Sequence, residues 1–526
     1  MNNPSAAAPS VPLLLKRTSA SYPDNVAVWT PARRLTYSQL VAESASLASA
    51  LRDALGDSDD PVALVMPNIA EAYIAYFAVA QIGRRILPLN PRLTEREMDA
   101  AMARWAPELA ICGGVTKDGS VTERVLSLRH RPGTIVSSDA ARRGGLGGLP
   151  PSFDVIVRDS RGSHLDSAKE PAPDDDWLIQ LTSGTTAEPK GVRLGHGQCV
   201  RMGYEIGRRL GLAAGDRYFV CNPVHHLGST NFGLLAAIAH GATYYTMPYF
   251  EPDEALDIMV RERCTVHQGI GSHYLVEMTS PRLNPQALSL RTITVGGGPE
   301  LARRIRDAFQ SDGVVQRYGS SESGGAPICG SHDDPLPSRL DTMGRPLPGV
   351  EVRVADAGAG TVQSSGGEGE IQIRGWSVMK GYLHDAEATS TAIDTDGWLH
   401  TGDMGRLDAD GNLLFISRLV DILRVGGENV AAREIEAVLE SHPSVRQAQV
   451  IPIPHSILNE VPAAFVELEP GALFDPQQLA AFCTTNLARY KRPAKIWLIT
   501  NGDWPMTGSG KVRKGALREM ALEYIR

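Results

Sequence analysis

The sequence predicts an α/β protein. A large N-terminal α/β region of several subdomains, one of them β-rich, is followed by a small C-terminal α+β domain. Three observations predict it. The 526 residues exceed what one hydrophobic core organises. Short apolar runs alternate with helix-length segments as far as about residue 350. Beyond that point the texture changes twice, near Val350 and near Val420.

The alternation starts at Pro61–Val65, a short apolar run closed by Pro67 and Asn68. Ala70–Ile82 is apolar around most of a helix and Arg85–Leu89 is a second apolar run, so the three predict a parallel βαβ unit. Arg142–Pro151, rich in Gly and Arg, reads as a surface loop. Trp177–Leu181 is a strand entering a Ser/Thr/Gly loop. A helix near Gln198–Leu210, a strand at Tyr218–Cys221, a helix near Asn231–His240 and a strand at Thr243–Met247 continue the layers. From Val350 the segments Val350–Val354, Glu370–Arg374 and Asn412–Ile416 read as short alternating strands. After Arg418 come a Gly-rich turn, a helix at Ala432–Ser441, strands at Val445–Ile453 and Ala463–Leu468, and a helix at Pro476–Leu487. The expected division is 1–419 and 420–526.

Composition narrows the function classes. Hydrophobic residues make up 42% and charged residues 21%, which is globular. A net charge of −8 gives no reason to expect nucleic acid as a partner. No apolar run reaches the length of a membrane-spanning helix. The N-terminus has a short apolar stretch with no basic residue ahead of it and reads as a loose tail, not a signal peptide. Six widely spaced cysteines suggest neither a disulfide framework nor a metal-ligand pair, and a reduced, cytoplasmic compartment is expected.

The strongest local signal is Leu181-Thr-Ser-Gly-Thr-Thr-Ala-Glu-Pro-Lys190-Gly, directly after an apolar strand. A polyphosphate needs inward-pointing N–H and hydroxyl donors and a cation. Thr182, Ser183, Thr185 and Thr186 supply hydroxyls, Gly184 lets the backbone approach, and Lys190 supplies the charge. The loop is not a Walker A motif, because no Gly-Lys-Ser/Thr ends it. Alone, it reads equally well as a solvent-exposed turn.

With further segments in order and spacing over residues 60 to 515, the chain resembles the adenylate-forming superfamily of acyl-CoA synthetases, luciferases and nonribosomal-peptide adenylation domains. Gln316-Arg-Tyr-Gly-Ser-Ser-Glu322 resembles its second core motif. The resemblance implies that Tyr318 stacks on adenine, that Gly319, Ser320 and Ser321 lie at the nucleotide with Ser321 on the α-phosphate, and that Glu322 holds Mg²⁺. The family usually has Thr where Ser321 stands. Thr294-Val-Gly-Gly-Gly-Pro299 resembles the loop beneath the adenine and beside the acyl pocket, which brings in Gly297, Gly298 and Pro299. Gly397-Trp-Leu-His-Thr-Gly-Asp403 and Ser417-Arg418 resemble the segments whose Asp and Arg reach the ribose. Pro223-Val-His-His226 resembles the family's pocket gate, with His226 in the gating place and His225 where an aromatic is usual. Met506-Thr-Gly-Ser-Gly-Lys511 resembles the mobile finger whose Lys bridges the acid and the α-phosphate. Val425-Gly-Gly-Glu-Asn429 resembles the acceptor tunnel, with Gly426 and Gly427 as its small residues. The hinge falls on Val420, where the family has Asp or Lys.

By that resemblance the expected reaction takes ATP, Mg²⁺ and a carboxylic acid to an acyl-adenylate and pyrophosphate, then passes the acyl group to coenzyme A. Lys511, His226 and Lys190 are the expected catalytic residues. An amide-forming ligase with an amine acceptor is the alternative, kept open by Val420 and by the Val-His-His gate. A nucleotide-binding protein without turnover is a third class, disfavoured by the intact Lys511, Glu322, Asp403 and Arg418. The acyl pocket is expected around His226, Gly228, Ser229, Thr230, Asn231, Gly271, Ser272, Gly297, Gly319, Gly324 and Gly325. Its many small residues leave either volume for a bulky acid or room for close backbone packing.

Overall fold

A computed structural model describes residues 8–55, 59–139, 170–182, 189–356, 361–419, 422–425, 428–455, 459–487, 489–500, 502–506 and 512–525. The chain is α/β, as predicted, and divides into two compact units. The first holds the described residues up to 182 with 189–351 and 373–399; the second holds 352–372 and 400 onward. The second unit thus takes in 352–372 and 400–419 along with the C-terminal residues.

Within the first unit, the predicted βαβ unit forms from strand Val62–Val65, helix Ala70–Gln81 and strand Ile86–Pro88, the two strands parallel. Every residue of the helix but Glu71 is buried, which is why its apolar residues run around the whole circumference. These strands belong to a six-stranded sheet in the order Gly191–Gly195, Asp176–Leu181, Ile86–Pro88, Val62–Val65, Leu109–Cys112, Thr134–Ser137. Capping boxes start two helices: Thr94 with Glu97 opens Glu95–Trp105, which packs on this sheet, and Thr36 with Gln39 opens Tyr37–Ala54, which packs on helix Ala70–Gln81.

A nine-stranded sheet forms the other layer of this unit. Its order is Arg345–Pro346, Ile328–Cys329, Val314–Tyr318, Thr292–Val295, Val266–Gln268, Arg217–Val220, Thr243–Tyr245, Val26–Trp29, Arg34–Thr36. The six strands from Val314–Tyr318 to Val26–Trp29 run parallel. Helices Pro252–Arg261 and Pro299–Phe309 cover one face with Leu256, Met259, Ile305 and Phe309. The helix expected near Asn231–His240 is a π-helix at Thr230–Leu234 followed by α-helix Leu235–Ala239.

A four-stranded sheet, most of whose residues belong to the second unit, runs Val350–Ala355, Gly369–Gly375, Leu399–Leu407, Leu413–Arg418. Leu399–Leu407 was not expected as a strand. The C-terminal sheet places Glu428–Ala431, Ile422–Val425, Asn459–Leu468 and Val445–His455 side by side, with Lys495–Leu498 parallel to Asn459–Leu468. Helices Ala432–Glu440, Pro476–Asn486 and Lys514–Tyr524 bury Ile435, Leu439, Leu479, Cys483, Leu517 and Ala521 against it. Among the described residues, no helix is long and apolar enough to cross a membrane.

Candidate active site

Four neighbouring parallel strands of the first unit end at the same edge: Arg217–Val220, Val266–Gln268, Thr292–Val295 and Val314–Tyr318. The segments that leave their carboxyl ends are Cys221–Asn231, Gly269–His273, Gly296–Pro299 and Gly319–Gly325. Open α/β sheets bind ligands in the crevice outside these strand ends. The topology therefore brings His226, Gly228, Ser229, Asn231, Gly297, Tyr318, Gly319, Ser320, Ser321, Glu322 and Gly324 to one end of one sheet, although they are far apart in sequence.

The glycines here do different things. A side chain at Gly319 would meet the Gly325 carbonyl at 2.1 Å, one at Gly324 the Ser377 carbonyl at 2.5 Å, and one at Gly228 the Asn222 side chain at 2.7 Å. These positions serve close packing and add no pocket volume. Gly298 differs: its φ is +86° and nothing lies within 4 Å of an added Cβ. It opens helix Pro299–Phe309, with Pro299 in the first turn where no N–H is needed. The 319–325 turn is fixed by Ser323, whose hydroxyl accepts from the Ser320 N–H at 2.8 Å, and by the Gly325 N–H donating to the Ser320 carbonyl at 2.9 Å.

Lys190 and Glu322 meet through a residue that sequence reasoning missed. The Lys190 ammonium lies 4.8 Å from the centre of the Tyr382 ring. The Tyr382 hydroxyl donates to Glu322 Oε1 at 3.0 Å. Burial first, then Glu322, pushes the phenol up, so it stays a neutral donor. Tyr382 bridges Val192, and its N–H donates to Thr389 Oγ1 at 2.9 Å. At the base of the Ser/Thr/Gly loop the Thr182 N–H donates to the Lys190 carbonyl at 3.0 Å, and the Lys190 N–H donates to Thr182 Oγ1 at 3.3 Å. The signal available for Tyr382 was the Met379-Lys-Gly-Tyr run, with Gly381 at φ +126°. Glu322 fits a Mg²⁺ ligand: it is a hard carboxylate, only partly buried, at the crevice.

The segment expected to gate the pocket follows strand Arg217–Val220. The Val224 N–H donates to Asn68 Oδ1 at 2.6 Å, and Gln180 Nε2 donates to the His225 carbonyl at 3.0 Å. His225 is buried with neither ring nitrogen hydrogen-bonded, while His226 is partly exposed, their rings 4.4 Å apart. The π-helix Thr230–Leu234 comes next, a form that recurs at functional sites. It buries Asn231, whose Nδ2 donates to the Gly324 carbonyl at 3.2 Å. Ser229 shares a 2.7 Å hydrogen bond with the Tyr244 hydroxyl.

Two buried histidines of this unit contribute to its acid response. Burial holds His225 well below the ordinary imidazole range, with His226 and Arg92 adding to it, and burial lowers His196 to about 4. Below about pH 6.5 the unfolded chain binds protons that these folded imidazoles do not, so stability rises with pH there. Acidification from pH 6.5 towards 4 therefore lowers unfolding free energy by up to about 1.4 kcal/mol per pH unit for each histidine. Denaturant midpoints between pH 7.5 and 5 check this, and a midpoint unchanged over that range contradicts it.

In the second unit, the antiparallel strands Leu399–Leu407 and Leu413–Arg418 set Asp403 opposite Arg418. The Arg418 Nε lies 3.5 Å from Asp403 Oδ1; Asp403 is buried and Arg418 about half exposed. Thr401 orients the turn of chain, donating to the Ile371 carbonyl at 2.6 Å and accepting from the Asp403 N–H at 3.1 Å. An acceptor of two hydroxyl hydrogen bonds and a planar cationic fork thus sit side by side, as a ribose and phosphate require. Ser183, Gly184, Thr185, Thr186, Val420, Gly426, Gly427 and Lys511 lie outside the described residues.

A sheet-end crevice with a lysine, a carboxylate and glycine turns defines a nucleotide-using α/β enzyme. The comparisons make this specific. The AMP-binding enzyme family matches residues 15–383, and the AMP-binding enzyme C-terminal domain matches 434–511. The chain belongs to the AMP-binding enzyme family, as an acyl-CoA synthetase type. It is 33% identical to a methyl-dioxo-octahydroindenyl-propanoyl:CoA ligase of Mycobacterium tuberculosis, over 97% of this chain and 99% of that one. It is 31% identical to a feruloyl-CoA synthase of an Amycolatopsis species, over 95% and 97%. The solved amide bond synthetase McbA of Marinactinospora thermotolerans is 27% identical with a TM-score of 0.81, over 97% and 99%.

Proposed function

We propose that this chain activates a carboxylic acid with ATP and transfers the acyl group to the thiol of coenzyme A. The observation that carries it is the Lys190–Tyr382–Glu322 arrangement at the carboxyl edge of the parallel strands. In the first step an acid oxygen bonds to the α-phosphorus of ATP and the bond to pyrophosphate breaks. The attacking group is already an anion, so no general base is needed, and catalysis is positioning and charge neutralisation. Tyr318 offers a ring to adenine, and Ser321 with the loop Thr182–Thr186 offers hydroxyls to the phosphates. Asp403 and Arg418 take the ribose. Glu322 would hold Mg²⁺, which when bound neutralises phosphate charge. Lys190 and Lys511 supply the protein's own cations, Lys511 between acid and α-phosphate. In the second step the thiol bonds to the acyl carbon and AMP leaves.

The likeness to acyl-CoA ligases over nearly the whole chain supports the coenzyme A acceptor. In the same reading residues 420–526 form the mobile body, Val420 the hinge, and Gly426 and Gly427 the wall of the acceptor tunnel. His226 gates the acyl pocket. Six buried, free cysteines support a cytoplasmic setting. An amine acceptor is the second reading, favoured by the likeness to an amide bond synthetase.

Incubation with ATP, Mg²⁺ and a panel of acids tests the proposal through pyrophosphate release. Weighing the products formed with coenzyme A against those formed with amino acids decides the acceptor. Release with no acid in the panel would overturn the activation step, and amides as the sole products would overturn the thioester.

A further inference from the structure

Resting on the acid-activating reading above, we propose that Arg317 receives a second carboxylate on the acid substrate, so that the preferred acids are dicarboxylic.

Arg317 sits on strand Val314–Tyr318, one residue before Tyr318, and is buried. Its Nη1 donates to Thr294 Oγ1 at 3.3 Å and its Nη2 to the Gly269 carbonyl at 3.2 Å. Its guanidinium carbon lies 4.9 Å from the centre of the Phe232 ring. These anchors place the charge at the carboxyl edge of the sheet. Gly269 leaves the end of Val266–Gln268, Thr294 is next to last in Thr292–Val295, and Phe232 belongs to the π-helix after the gate. The guanidinium therefore stands against the segments that wall the crevice.

The anchors are all neutral. The ionisable groups facing Arg317 are the Tyr218 and Tyr274 phenols and the Cys329 thiol, and burial pushes each of these up, so they too are neutral near pH 7. Among the described residues no carboxylate pairs with it. Arg33 and Arg433, each about one-third exposed, pair with carboxylates, Glu43 and Glu71 for the first and Glu436 and Glu440 for the second; buried Arg124 instead donates to the Pro91 and Leu93 carbonyls. An arginine does not shed its charge in a protein, so burial without an anion is costly unless a ligand supplies one. A carboxylate matches the planar fork of donors in charge and shape. An acid with one carboxylate committed to the α-phosphorus and another on Arg317 satisfies both ends of the crevice.

Matched acids test this. For each of several skeletons, straight-chain and aromatic, the diacid, its monomethyl ester and the corresponding monoacid are compared by pyrophosphate release and by calorimetric titration. With the unmodified enzyme, the best-accepted diacid should exceed its half-ester in kcat/KM roughly 10- to 100-fold, the range expected for hydrogen bonds to a charged group. Arg317→Met should remove that preference, raising KM for the diacid more than it alters kcat, and Arg317→Lys should restore part of it. Equal or better use of half-esters and monoacids by the unmodified enzyme would overturn the proposal, whether or not the variants fold. So would an equal loss on all three acids in Arg317→Met. If no acid releases pyrophosphate, the activation reading fails; the calorimetric preference for diacid over half-ester still decides the role of Arg317.

Discussion

Lys511→Ala lowers the adenylation rate roughly 10²–10³-fold, the size expected when one preorganised charge stabiliser is removed from a transition state, and leaves the use of pre-formed acyl-adenylate with coenzyme A close to unchanged. Two anions, the acid and the α-phosphate, must approach within bonding distance in the first step only. A cation between them acts only while the new bond forms, so its loss falls on kcat and not on ATP binding. Thioester formation starts from an adenylate in which that repulsion has already been overcome. Separate single-turnover assays of the two half-reactions measure the asymmetry. Equal losses in both would mean that Lys511 supports the fold or binds nucleotide in general.

Glu322→Gln lowers kcat/KM for ATP roughly 10²-fold. The amide keeps an oxygen that can accept from the Tyr382 hydroxyl, now 3.0 Å from Glu322 Oε1, so the local packing survives. What disappears is the negative charge that makes the group a Mg²⁺ ligand. Raising free Mg²⁺ should therefore recover part of the loss. Tyr382→Phe, which removes the hydrogen bond and keeps the ring near Lys190, should cost only about tenfold or less. If the tyrosine variant is the worse of the two, the hydrogen bond organises the site and the charge of Glu322 does not.

The layered fold was legible because buried parallel strands read as continuous apolar runs. Val62–Val65 is buried at all four positions and was read within one residue. Leu399–Leu407 escaped because its burial does not alternate cleanly and Gly402 and Gly405 interrupt it; at Gly405 the missing side chain makes way for Ile371, with 2.8 Å to an added Cβ. The π-helix at Thr230–Leu234 has no sequence period that separates it from an α-helix. In the site, the motifs named Glu322, Lys190, Asp403 and Arg418, but Tyr382 joins two of them from a segment with no chemistry of its own. The pocket glycines show the limit most clearly. Sequence leaves open whether a glycine makes room for ligand or for backbone, and at Gly319 and Gly324 the neighbouring carbonyls show it is backbone. Arg317 passed unnoticed inside a motif because its burial without a carboxylate is a property of three dimensions.

Isotope exchange is the most direct measurement of the central claim, that the loop around Lys190, the carboxylate of Glu322 and the late-chain Lys511 serve the joining of an acid to AMP. Labelled pyrophosphate should enter ATP only when an accepted acid and Mg²⁺ are both present, without coenzyme A, and the exchange should collapse in Lys511→Ala. Exchange that proceeds without any acid, or ATP binding with no exchange for any acid supplied, would contradict it.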